Sequence, residues 1–354
     1  MIRLASPLAL LVLAGFALAI GGCDSIGESL GSCSTPKGRG QTVIVGDGGT
    51  LLTEQGGEWR DASATDVDLG DVAYQNEQVG FAVGKTGVFL RTEDGGETWD
   101  AYELGTARLW DVESPDGCTT VLAAGSDRML MSDDDGERWS SASYRTIDRD
   151  GVSTRADWPE DFESFGVAFF DRSRGIALGT VPSFFGFRAV VLLETTNGGS
   201  SWAEPTGVQH SVVSEAEVLS AAGDYGVLGA YDTRFGVGTR YTEDQGTTWN
   251  TTGRYGGAES SIPIVGLQDV VLQSDGRGVA VGDRGGIYVT TNGWRSWRQA
   301  VTDSMPPLYG VDCIGLACMA VGESGAAVLS DNGGTTWERV QTGTTETLRS
   351  VVLG

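Results

Sequence analysis

The sequence predicts an all-β fold: a seven-bladed β-propeller of four-stranded antiparallel blades, with the ring closed by the C-terminal strand joining the N-terminal blade. Three observations carry this expectation. An octet that starts with Ser or Thr, holds Asp or Asn third and Gly fourth or fifth, and ends in Trp recurs at Thr92–Trp99, Ser132–Trp139, Thr195–Trp202, Thr242–Trp249, Thr290–Trp297 and Ser330–Trp337, with a shortened copy over Thr53–Trp59. The closing tryptophans stand 40, 40, 63, 47, 48 and 40 residues apart, a period that belongs to repeat architectures such as propellers. Apolar residues three apart open each unit, at Leu69/Val72, Leu109/Val112, Phe165/Ala168, Val218/Ala221, Leu267/Val270 and Leu308/Val311, and a further pair, Leu348/Val351, ends the chain with no unit after it.

From the N-terminus, residues 1–22 carry one early charge, Arg3, and then an apolar run from Leu8 to Ile20, which reads as a signal peptide. The run Ala19-Ile20-Gly21-Gly22-Cys23 resembles the lipobox of bacterial lipoproteins. That resemblance implies cleavage before Cys23, acylation of its thiol and amine, and a product lipid-anchored in a cell membrane and facing the periplasm. Asp24 resembles the inner-membrane retention signal of enteric bacteria, and the choice between inner and outer membrane stays open. Residues 23–40, rich in Gly and Ser and lacking an apolar period, read as a lipidated flexible tether. The propeller occupies 41–354.

Within the propeller the second unit is the clearest, with strands expected over Leu69–Tyr74, Val79–Val83, Val88–Thr92 and Trp99–Leu104. The first unit, Val43–Arg60, lacks an opening strand, so Leu348–Gly354 is expected to supply it. The blades are then 348–354 with 41–62, followed by 69–104, 109–142, 164–205, 216–252, 266–301 and 308–342. Closure protects the sheet edges that an open array would expose.

Each octet reads as a hairpin turn. Its hydroxyl residue and the third-position residue (Asp94, Asp134, Asn197, Asp244, Asn292 or Asn332) can hydrogen-bond turn amides, and glycine accepts a positive φ. The tryptophan suits a repeated gap between units. The octets resemble the Asp-box, or BNR repeat. In blades ordered A to D from the centre, the octet is the C–D turn, so it is scaffold, and function belongs to the opposite face, in the D–A and B–C loops.

Those loops are uneven. The D–A loop Ser143–Glu163 is long and carries Arg145, Arg149, Arg155 and Trp158; the B–C loop of blade four holds Phe184, Phe185, Phe187 and Arg188; blade five adds Arg234 and Phe235, and the next D–A loop Arg254 and Tyr255. Arginine and aromatic residues are enriched at protein interfaces, so these are the expected partner-binding residues. The competing use of the same residues is internal packing of long loops.

The chain has 48 acidic against 24 basic residues, a formal net charge of −24, which excludes nucleic acid and anionic lipid as partners of its bulk surface. Membrane contact is expected through the lipid anchor alone. With Cys23 acylated, four cysteines remain. Cys313 and Cys318 flank a hairpin turn, where a local disulfide is easy, and Cys33 with Cys118 follows by elimination. No metal or other cofactor is expected: the one histidine, His210, reads as a loop residue, and no cysteine spacing matches a zinc site. A small-molecule ligand is not expected either.

Seven octet-bearing units behind a lipobox resemble the photosystem II stability/assembly factor-like propellers over residues 41–354. The resemblance implies a scaffolding or chaperone-like role at a membrane, with protein partners bound through one face of the ring and no catalytic residues. The alternative is a glycoside hydrolase, since sialidases and xyloglucan-degrading enzymes also carry Asp-boxes. The Arg-Ile-Pro motif of sialidases does not occur here. The acids that such an enzyme would draw on are Asp157, Glu160 and Asp161 with Glu215 or Glu217, because a two-carboxylate mechanism needs an acid and a base or nucleophile across one site.

Overall fold

The computed structural model describes residues 40–115, 119–147, 153–182, 188–205, 215–232, 236–251, 266–293, 295–301 and 305–354. They form seven antiparallel blades around a channel, each running outwards from an inner strand. In the second blade the strands are Leu69–Tyr74, Gly80–Gly84, Val88–Thr92 and Asp100–Glu103. The first blade is composite. Val43–Gly46, Leu51–Gln55 and Glu58–Asp61 are completed on the inside by Leu348–Val352, with Val43 opposite Val352 and Ile44 opposite Val351. The expected closure of the ring is therefore found.

The octets lock by one repeated geometry. Thr92 Oγ1 donates to Asp94 Oδ1 at 2.8 Å and accepts the Gly96 N–H at 3.0 Å, while Asp94 Oδ1 accepts the Thr98 N–H at 2.9 Å. Asp134, Asn197, Asp244, Asn292 and Asn332 accept the corresponding seventh-position N–H. The alternation of Asp and Asn has a chemical reason. Asp94 and Asp244 accept from the hydroxyls of Thr98 and Thr248 at 2.6 Å, whereas the Nδ2 groups of Asn197, Asn292 and Asn332 donate to Ser201, Ser296 and Thr336. A hydroxyl can do either, so both residues satisfy the turn. The fourth residue is in the left-handed region even where it is not glycine (Asp135, φ 59°; Gln245, φ 56°), and its N–H reaches the carbonyl of the neighbouring A–B turn, as Asp135 does to Thr119 and Gln245 to Asp224.

Each tryptophan that closes an octet packs back onto the preceding blade. Trp99 sits with Val43 and Val45 of blade one, and Trp139 lies edge-on to Phe89 of blade two at 5.0 Å. Trp202, Trp249, Trp297, Trp337 and Trp59 join the other five junction clusters in turn. Burial of one large ring per junction accounts for the period of the sequence.

Three expectations need correction. Residues 143–163 are not a plain loop: Ser143–Ile147 and Ser153–Ala156 form a hairpin that pairs in parallel with Ser201–Ala203, making blade four six-stranded. The outer strand of that blade is only three residues long, and the hairpin covers the edge it leaves. The opening pairs of blades four and five are also out of register. Inner strands carry a β-bulge at their second residue, or at their third in blades four and five, and alignment on it puts Ser164/Val167 and Ala216/Leu219 where Leu69/Val72 stand, not Phe165/Ala168 and Val218/Ala221. Finally, the second strand of blade two starts at Gly80, one residue after Val79.

Cys313 and Cys318 face each other across the first hairpin of blade seven and are joined as a disulfide. Cys23, Cys33 and Cys118 lie outside the described residues.

Deleting residues 348–354 should strip the inner pairing from Val43–Gly46 and remove buried Leu348, Val351, Val352 and Leu353. The expected outcome is loss of the monomer in light scattering and of a single melting transition in calorimetry. Asp94→Ala should cost about 1–2 kcal/mol in urea unfolding, because it leaves the Thr98 N–H and two hydroxyls short of an acceptor, while Asp94→Asn should be nearly neutral.

Candidate functional site

The octet face is consumed by its own hydrogen bonds, which leaves the D–A/B–C face. Four B–C connections there are tight turns, Asp47–Gly49, Lys85–Gly87, Asp283–Gly285 and Glu323–Gly325. Glycine ends each because the next connection crosses against it. A Cβ on Gly49 or Gly325, both at φ +71°, would lie 2.0 Å from the carbonyl oxygen of Thr65 or Thr344. Blades four and five break this pattern. Their second and third strands, Gly175–Pro182 with Arg188–Thr195 and Tyr225–Asp232 with Gly236–Thr242, keep the octet-end register of blade two but run on past it. Three further residues per strand in blade four and two in blade five project the hairpins by about 7–10 Å. Phe184, Phe185, Phe187, Arg234 and Phe235 lie outside the described residues, as do Arg149, Arg254, Tyr255 and His210. The backbone of Arg188 opens a strand, and its side chain lies outside the description.

The remaining sequence-selected residues stand at the rim. Arg145 and Arg155 face one another across the outer hairpin of blade four, and Arg145 donates from Nε to Ser153 Oγ at 2.7 Å. Arg155 is exposed. Trp158 is spent on packing: it lies between Tyr144 and Phe162 with ring centroids at 5.3 and 4.9 Å, and its indole N–H donates to the Ala142 carbonyl at 2.8 Å. Three strands lie between this hairpin's inner strand and the strand that lines the channel, so these residues do not share a site with the mouth. Asp157, Glu160 and Asp161 are all exposed on the same outer segment. The side chains of Glu215 and Glu217 lie outside the description.

What the structure brings together is a set of residues at the centre. A channel of about 360 Å³ is lined by all seven inner strands. The bulge residues Gly70, Trp110, Phe165, Gln268, Tyr309 and Arg349 lie at its D–A/B–C end, and the residue after each bulge points into the ring. A bulge leaves backbone N–H groups unpaired, and acids receive N–H groups across the blade junctions, three of them just past a bulge and one, Leu353 N, at the end of the closing strand. Asp71 Oδ2 accepts from Val112 N at 3.0 Å, Asp111 Oδ2 from Val167 N at 2.5 Å, Asp269 Oδ2 from Val311 N at 2.7 Å and Asp312 Oδ2 from Leu353 N at 2.9 Å. Ser350 donates to Asp71 Oδ1 at 2.7 Å, and Ser220 Oγ accepts from Leu272 N at 3.1 Å. The junction between blades four and five has Gly166 at the acid's position and no such clasp among the described residues.

Burial governs the chemistry of these acids. It pushes Asp111 well above the usual carboxylate range, with further upward contributions from the adjacent Asp71 carboxylate, which is in hydrogen-bond contact with it, and from Glu113. Burial raises Asp269 to about 7, against the lowering effect of the Val311 and Val270 N–H groups. No group of three or more metal-ligating side chains forms among the described residues.

At the mouth, Arg349 makes a two-pronged contact with Asp47 at 2.9 and 2.7 Å and lies over the Tyr309 ring at 5.0 Å. Arg108 lies over the Trp110 ring at 3.7 Å, and Trp110 meets Phe165 edge-on at 6.1 Å. Sequence reasoning missed this set. Its signal was the acid two residues after the opening leucine, at Asp71, Asp111 and Asp269, inside the very pairs used to count blades.

Solved structures similar to this chain share its ring. A structure described as YCF48 bound to D1 peptide is 16% identical, with a TM-score of 0.53, over 86% of this chain and 88% of that one. YCF48 from Cyanidioschyzon merolae is 17% identical, with a TM-score of 0.54, over 80% and 88%. U3-55K is 9% identical, with a TM-score of 0.53, over 83% and 85%. At these identities the likeness is one of fold. No protein-family model and no curated protein sequence matches the chain.

Asp269 gives the ring a pH dependence. Its folded pKa, about 7, is above its unfolded value, so its contribution is complete below about pH 4 and is lost as pH rises through 7. Asp269→Asn keeps an acceptor for Val311 N–H and removes the charge. Across a pH series from 4 to 8.5, its melting temperature should rise steadily relative to wild type and level off above about pH 7; a constant difference would mean that Asp269 does not titrate in this range.

Proposed function

We propose that this protein is a scaffold anchored by acylated Cys23 on the extracytoplasmic side of a membrane, where its D–A/B–C face holds a segment of a protein partner and assists assembly or stability of a membrane-associated complex. The observation that carries the proposal is the asymmetry of that face. The repeated tight B–C turns give way to projecting hairpins in blades four and five, beside a mouth furnished with Trp110, Phe165, Tyr309 and two arginines. Projecting strands next to an aromatic and arginine surface are features of peptide-holding sites. The opposite face offers a partner only hydrogen-bonded turns. A similar ring, in YCF48, is described as bound to a D1 peptide, and the sequence resemblance to photosystem II stability/assembly factor-like propellers points to the same class of role. The octets read as Asp-boxes that build the ring, and the arginines of the blade three-to-five loops, with the loop aromatic residues other than Trp158, form a rim patch of the same face, separate from the mouth.

The test is capture of membrane proteins by the tagged full chain, read by quantitative mass spectrometry. Subunits of one membrane complex should be enriched by wild type and lost from a variant with Arg155, Arg188 and Arg254 changed to Glu, and should be retained by an octet-face variant, Glu97→Arg with Asp133→Arg. Cys23→Ser should move the protein from the membrane to the soluble fraction. Equal loss in both face variants, or no enrichment by wild type, would overturn the assignment of this face.

A further inference from the structure

In a chain with twice as many acids as bases, an arginine without a carboxylate is out of place, and the mouth contains one. Arg108 precedes the inner strand Leu109–Glu113 and is partly buried. Its neighbours' charges are already matched: Arg349 by Asp47 through two hydrogen bonds, and Lys85 by Asp68. Among the described residues the Arg108 side chain makes no hydrogen bond or ion pair, and its guanidinium lies over the face of Trp110, 3.7 Å from the ring centroid. Two donors on this stacked pair, Arg108 Nε and Trp110 Nε1, are buried without an acceptor. Orphaned buried donors are costly, and stacking on an indole holds the guanidinium plane in place. Burial, and then Arg349, lower the Arg108 pKa, so an arriving anion relieves a cost that the free protein carries.

We propose that the corner formed by Arg108, Trp110 and Phe165 binds a carboxylate carried next to an apolar side chain. Charge selects the class. Arg349 is neutralised by Asp47, which leaves one net positive charge on Arg108, and Asp71 and Asp111 line the channel just inside, so a monoanion fits and a dianion such as phosphate is repelled. Shape agrees, because the fork of a guanidinium matches the two oxygens of a carboxylate. The edge-on pair of Trp110 and Phe165, both half-exposed toward the channel, gives the neighbouring apolar group a wall. The inference deepens the proposed function, resting on it only for the source of the carboxylate: an acidic side chain within a partner segment or a free chain end.

The test uses small probes and needs no partner. The indole N–H resonance of Trp110 in the folded full chain, assigned with Trp110→Phe, is followed while acetyl-Phe-Asp-amide, acetyl-Phe-Asn-amide, N-acetylphenylalanine or inorganic phosphate is added. The Asp peptide or N-acetylphenylalanine should shift the resonance saturably, and whichever binds tighter identifies a side-chain or a terminal carboxylate. The Asn peptide should bind at least about tenfold more weakly, as loss of one charge-assisted contact requires. Arg108→Gln should abolish the shift and Arg108→Lys should weaken it, with the octet tryptophan resonances unmoved as proof of fold. Equal binding of the Asn peptide, tighter binding of phosphate, or wild-type binding by Arg108→Gln would overturn the proposal. Probe binding with failed capture of a complex would count against the scaffold reading alone, and the reverse result against this site alone.

Discussion

The packing of one tryptophan per octet against the preceding blade is the constraint on which the rest of the molecule depends. A single four-stranded blade has two apolar faces and cannot bury either by itself. The octet solves this by fixing the C–D turn so rigidly, through the hydroxyl at its start and the acid or amide at its third position, that the indole is always delivered to the same junction. The acids concentrated in these turns look reactive, yet their oxygens are occupied by turn N–H groups and hydroxyls. Commitment of one face to architecture is what frees the other.

A second ring, inside the first, works by polar contacts. Bulges near the start of the inner strands turn one residue toward the mouth and direct the next into the channel, so the device that kinks the strand also places mouth residues and buried acids side by side. The acids tie most blades to their successors by accepting a backbone N–H, at the cost of holding carboxyl groups away from water. Burial, with Asp71 beside it, holds Asp111 well above the usual carboxylate range, which lessens that cost. The blade four–five junction, where glycine replaces the acid, is also where the longest hairpins stand. The ring's local exception and the most elaborated part of the exposed face thus coincide.

The architecture was legible because its determinants are local and repeated: Thr92 to Trp99 carries its own turn, its own cap and the residue that packs the junction. Leu348/Val351 revealed closure because a seventh opening pair had no unit to open. The hairpin at 143–156 was not legible, since Tyr144 and Arg145 pair with Trp202 and Ala203 some sixty residues later, and nothing in the intervening sequence announces a parallel contact. The same distance hid the role of Trp158. In blades four and five, register was misread because a bulge shifts alternation by one without changing composition. The mouth was hardest to see. Arg108, Tyr309 and Arg349 come from units far apart in sequence, and what makes Arg108 unusual is the absence of a partner, which only three-dimensional neighbours disclose.

The composite first blade bears on how the chain comes into being. Val43–Gly46 is synthesised long before its inner partner, Leu348–Val352; Asp47 and Arg349, which meet across that seam, are 302 residues apart. A ribosome emits the two halves of this blade some 300 residues apart. Contacts of such long range form late, so every intermediate blade can be laid down while the circle stays open and its first strand stays unpaired. The sheet at the seam is therefore the contact on which closure depends: without Leu348–Val352, Val43–Gly46 keeps an unsatisfied strand edge.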